Sequence, residues 1–165
     1  MPVKKSRVPF LAPLAALMMA AMVSSGFAQE DNHAGYYYPD PNSRETYVSR
    51  ANTMGDADRE VRLGFVIALT QQQLAESYAP TYAMFAKGTE ANKMIVVAQG
   101  ENGFRSLYQA RGLLAQLTAV ARSSQLFQEL AVEDVFTFFD LAKLIGFKQI
   151  TVTDGLSFAH QVKLE

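Results

Sequence analysis

His33 and His160 are the only imidazoles in the chain, so acid–base and metal chemistry are weighed on them first. They lie 127 positions apart, and imidazole metal sites recruit two or more such donors close together. His160 falls between Phe158 and Val162 on one side of an expected strand, which suits a satisfied, partly buried histidine better than a catalytic base. His33 sits in a polar arm and reads as solvated. Asp140 and Lys143 are one helical turn apart and could pass a proton. An exposed i,i+3 ion pair on a wet stripe with Glu133 and Thr137 explains the same spacing without a substrate. Arg111 and Arg122, with Thr118, share one flank of a long helical segment. Two guanidiniums there could receive a carboxylate or phosphate, or pair with Glu129 or Glu133, or edge the core with their stems. This flank is the best anion-binding candidate in the chain. Tyr36, Tyr37 and Tyr38, followed by Pro39 and Pro41, form an extended aromatic segment suited to a recognition surface, or to folding back over its own domain.

Known signatures of catalysis are missing. The sequence holds no phosphate loop, nucleophile elbow, helical zinc pair or dinucleotide fingerprint. Gly100-Glu101-Asn102-Gly103 is too short and too acidic to cradle a phosphate, and Asp154-Gly155 is explained by turn chemistry. No catalytic residue, metal ligand or cofactor is therefore assigned.

The elements that must position these residues follow from periodicity. Ser43 is placed to cap a short helix over 44–54. Alternation in VRLGFVIAL predicts a strand over 61–69, followed by one or two helical turns at 71–77. Strands are expected at 82–87 and 94–99, joined as an antiparallel hairpin through GTEAN. A helix over 104–122 buries Leu107, Ala110, Leu113, Leu114, Leu117, Val120 and Ala121 on one broad face, with Gly112 marking close packing. A second, mostly buried helix is expected over 133–145, stopped by Gly146. Two last strands, 149–153 and 156–163, meet through a two-residue Asp154-Gly155 turn. The sum is an α+β domain: a mainly antiparallel sheet of about five strands with two main helices on one face.

The N-terminus carries an address. Lys4, Lys5 and Arg7 precede an apolar run from Val8 to Val23 containing two prolines, then Gly26 and Ala28 at small-x-small spacing. That order predicts a cleavable signal peptide over 1–28, cut near Ala28; the run is short of the ~20 residues a spanning anchor needs. The expected organisation is signal peptide 1–28, arm and short helix 29–58, and one α+β domain 59–165, periplasmic or secreted. Cleavage takes three of 15 basic side chains and none of 16 acidic ones, leaving 12 against 16 and a net charge of −4. Such a balance argues against nucleic acid and leaves no stable membrane anchor. The absence of cysteine is compatible with an oxidising compartment. Partners are expected to be an unspecified protein or small molecule, and the chain reads as a binding or interaction domain without a catalytic site.

HAGYYYPDP (33–41), EDVFTFFDLAKLIGF (133–147) and ITVTDGLSFAHQV (150–162), with MFAKG (84–88) and LTAVAR (117–122), resemble a family of small exported bacterial proteins. Its members are commonly named molybdopterin-guanine dinucleotide biosynthesis protein A. By that name the resemblance implies a nucleotidyltransferase of molybdenum cofactor biosynthesis, the alternative to a binding domain. Guanylyltransferases of that name open on L-A-G-G-x-S-x-R-M-G-x-D-K. Only Met54-Gly55-Asp56 echoes it here, so the resemblance carries over no catalytic residue.

Overall fold

A computed structural model describes residues 39–99, 106–123 and 125–165. The signal segment, His33 and the Tyr36–Tyr38 segment lie outside the described residues. Along the chain run β1 (Ser43–Tyr47), α1 (Arg59–Ala75), β2 (Tyr82–Lys87), β3 (Lys93–Ala98), α2 (Leu107–Arg122), α3 (Gln125–Glu129), α4 (Phe138–Leu144), β4 (Gln149–Thr153) and β5 (Ala159–Leu164). The strands form one sheet in the order β1-β5-β4-β3-β2. The α+β class holds, but the sheet is mixed. β2–β3 and β4–β5 pair antiparallel, whereas β3–β4 and β1–β5 are parallel. The parallel pairs arise because α2, α3 and α4 intervene between β3 and β4, and because the first strand returns beside the last.

Alternate strand residues face one core. Tyr82, Met84, Met94, Val96, Ile150, Val152, Val162 and Leu164 cluster with Val66 of α1, Leu113, Leu114 and Leu117 of α2, Phe127, and Phe138 and Leu141 of α4. Phe65 lies 6.4 Å from both Phe138 and Phe147, ring centre to ring centre, stitching α1 to α4 and the turn beyond it.

Several local expectations are corrected. The segment expected as a helix over 44–54 begins as β1: Ser43, Glu45 and Tyr47 alternate inward and register with His160, Val162 and Leu164. Residues 61–69 are helix rather than strand. The Asp58 side chain accepts from the Val61 N–H at 2.9 Å and caps a helix of 17 residues; Val61, Phe65, Val66 and Leu69 meet the core while Ile67 is 55% exposed. A run this apolar satisfies both periods, and the cap with the helix-forming Gln71–Ala75 tail decides between them. The helix expected over 133–145 starts only after Thr137, where a capping box with Asp140 fixes its first turn. Gly112 is exposed with open space around it, not a close-packing point. Between β4 and β5 stands a five-residue loop rather than a two-residue turn. Asp154 Oδ1 accepts from the N–H groups of Leu156, Ser157 and Phe158, each at 2.9 Å.

Candidate functional site

Two places concentrate polar chemistry. At the N-terminal end of α4, Asp140 is fully buried and, far from facing solvent, closes a five-bond cage. Oδ1 accepts from Ser49 Oγ (3.0 Å) and the Arg50 N–H (2.8 Å). Oδ2 accepts from Tyr47 Oη (3.0 Å), Thr137 Oγ1 (3.0 Å) and the Thr137 N–H (2.8 Å). Burial pushes this carboxyl's pKa up, but the hydrogen bonds from Thr137, Arg50, Ser49 and Tyr47 outweigh it and hold it below the usual aspartate value. Lys143, the partner expected of Asp140, instead reaches the Leu164 carbonyl at 3.5 Å. This cage ties the chain after β1 to α4.

Beside it, Ser43 and Glu45 of β1 meet His160 of β5 and Arg111 of α2. Ser43 Oγ is 2.8 Å from His160 Nδ1. Glu45 Oε1 lies 3.2 Å from His160 Nε2, too oblique for a formed hydrogen bond, and Glu45 Oε2 accepts from Arg111 Nη2 at 3.0 Å. Burial raises the Glu45 pKa, yet Arg111 and His160 together bring it below the ordinary glutamate value. Serine, histidine and glutamate in contact are the residue types of an activated nucleophile. Here, however, His160 is 1% exposed, which leaves its imidazole no open face for a substrate. The cluster is a polar seam joining β1, β5 and α2. Arg122, exposed at the far end of α2, is three turns and about 16 Å along the helix axis from Arg111, so the two guanidiniums do not converge on one anion.

A concave surface lies elsewhere, between the second halves of α1 and α2. An inner apolar pocket of about 90 Å³ is walled by Phe65, Leu69, Leu117, Val120, Phe138 and Leu141. It shares Leu69, Gln72 and Val120 with an outer chamber of about 310 Å³ whose lining adds Gln73, Glu76, Tyr78, Pro80, Tyr82 and Gln116. The groove therefore has an apolar floor and a mouth of amides and phenols, with Glu76 as its one charged group and no lysine or arginine. Leu117 and Val120 were expected on the core face of a helix, and Gln72, Gln73 and Glu76 on short helical turns. The strand expected over 61–69 placed Phe65 and Leu69 away from them, so no groove was anticipated. Its signal was the Gln71-Gln72-Gln73-Leu74 tail, which continues a capped helix.

Among the described residues no helix is long and apolar enough to cross a membrane. Nor do three His, Cys, Asp or Glu side chains gather there as a metal site would require. In comparisons with known proteins, no family model, no curated protein and no solved structure matches the chain.

Proposed function

We propose that this protein is an exported binding domain whose α1/α2 groove takes a small amphipathic molecule with a neutral or cationic head. The observation carrying the proposal is the groove's two-part lining. Its apolar inner pocket receives a hydrocarbon or aromatic tail, and the Gln72, Gln73, Gln116 and Tyr78 mouth offers hydrogen bonds to a head group. Glu76, with no cation in the lining, disfavours an anionic head. The polar clusters support a binding role by contrast: Asp140 and His160 are buried in contacts within the fold.

The test uses N-phenyl-1-naphthylamine, a neutral fluorescent amphiphile, displaced by dodecanol, dodecylamine or laurate. Fluorescence should rise on binding, dodecanol and dodecylamine should displace the probe, and laurate should do so poorly. Val120→Trp, which fills the junction of the two chambers, should abolish the signal while leaving the melting temperature near that of the parent. An unchanged signal in that variant overturns the proposal. The nucleotidyltransferase implied by the family resemblance makes a different prediction, a magnesium-dependent rise in melting temperature with GTP; none is expected. For export, mass spectrometry of the protein recovered from its native cell envelope fraction should find a chain beginning near Gln29.

A further inference from the structure

All five lysines after residue 28 gather at one end of the sheet. Lys87, Lys93 and Lys163 stand in a single lateral row, set by the register pairs Lys87↔Lys93, Lys93↔Gln149 and Gln149↔Lys163. Residues paired in register project to the same face, and these alternate with the core-facing Ala86, Met94 and Val162, so the row lies on the face away from the helices. Lys148 immediately precedes β4, and Lys143 reaches the end of β5.

Three of these lysines, Lys93, Lys148 and Lys163, wall a cleft of about 350 Å³ with the amides of Asn92, Gln149 and Gln161 and the hydroxyl of Thr89. One acid, Glu90, also lines it, and Lys163 Nζ lies 2.5 Å from Glu165 Oε1. Lys148 is exposed and makes no ion pair among the described residues. The loop wall is held by a buried cation. Arg62, 5% exposed, donates from Nε (2.9 Å) and Nη2 (2.7 Å) to the Glu90 carbonyl and from Nη1 to the Ala57 carbonyl at 2.9 Å. The Lys148 N–H closes the other side on the Asn92 carbonyl at 2.8 Å. The backbone around the cleft is thus held in place before any ligand arrives.

We propose that this cleft binds a compact anion bearing two or more phosphate groups. Lysines act as point-charge donors to phosphate, whereas the guanidinium fork that recognises a carboxylate is absent from the lining. Lys93 and Lys163 are two strands apart, about 10 Å, which is wider than one phosphate and matches two. The net charge of the whole chain is −1, so the attraction is local to this cleft rather than a general affinity for polyanions.

Calorimetry with tripolyphosphate at low salt, alongside sedimentation with vesicles containing cardiolipin, whose headgroup carries two phosphates, tests the proposal and separates a soluble phosphate compound from a lipid headgroup. Tripolyphosphate should bind, weaken as salt rises, and bind about tenfold more weakly to the Lys148→Gln/Lys163→Gln double variant. Arg122→Gln, an exposed charge removed elsewhere, should bind as the parent does. Vesicle binding lost in the same double variant, without tripolyphosphate binding, assigns the phosphates to a lipid. Failure to bind either probe, or an equal loss in Arg122→Gln, overturns the proposal. Melting temperatures of the variants show whether each is folded.

Discussion

Asp140 shows how a side chain's role turns on its neighbours more than on its spacing. Its distance from Lys143 suits a surface pair, but the side chain is spent on the loop after β1. Replacing it by asparagine keeps the size and removes the charge that draws five donors together; the expected cost is about 2–3 kcal/mol, measured as a lower urea midpoint. Because the folded pKa is depressed, the unfolded chain binds more protons in the acid range. The stabilisation is complete above the unfolded aspartate value near 4 and is lost as pH falls through the lower folded value. The gap between parent and Asp140→Asn should therefore close as pH drops from 6 to 2, and a gap independent of pH would contradict this account. Arg111, its side chain 60% exposed beside Glu45, is a milder case: Arg111→Gln should cost less than about 1 kcal/mol, since solvent screens such pairs.

At the scale of elements, α1 and α2 each contain an exposed glycine with open space where a Cβ would sit, Gly64 and Gly112. Gly64→Ala and Gly112→Ala should each raise stability by about 0.5–1 kcal/mol, read as a higher melting temperature. Gly146 is the opposite case: φ is +90°, and a Cβ would come 2.6 Å from Arg62 Nη1. Gly146→Ala should cost at least about 1–2 kcal/mol and loosen the Arg62 clamp on the Glu90 loop. Elements with one period were legible in the sequence. β2, β3 and α2 stand within three residues of where alternation and the 3.6 repeat put them, and the β2–β3 hairpin is antiparallel as GTEAN suggested. Where hydrophobicity was nearly continuous, as at 61–69, period alone did not separate helix from strand, and the Asp58 cap carried the decisive information. The start of α4 was written as Thr137-Phe138-Phe139-Asp140, a capping box hidden inside a longer greasy run. β1 was missed because its inward residues are Ser43, Glu45 and Tyr47, whose burial depends on partners 66 or more positions away. The groove and the lysine cleft were illegible for the same reason, since each is assembled from segments remote in sequence.

On the scale of the whole molecule, the α1/α2 groove and the sheet-end cleft differ in chemistry. The α1/α2 groove is floored by carbon and carries one acid, whereas the sheet-end cleft is rich in ammonium groups. Binding at one should survive changes at the other, so Val120→Trp should leave tripolyphosphate affinity unaltered and Lys148→Gln/Lys163→Gln should leave naphthylamine fluorescence unaltered; coupling would show as a shared loss. A last consequence belongs to the seam where β1 lies parallel to β5. Asn42 and Ser49 bond Ala159 and Glu165 at its two ends, so β1 waits for β5 before it has a neighbour in the sheet. Its partner residues stand 117 positions apart, so pairing them closes a long loop, and completion of the sheet is a late, non-local step of folding with β5 as its latch.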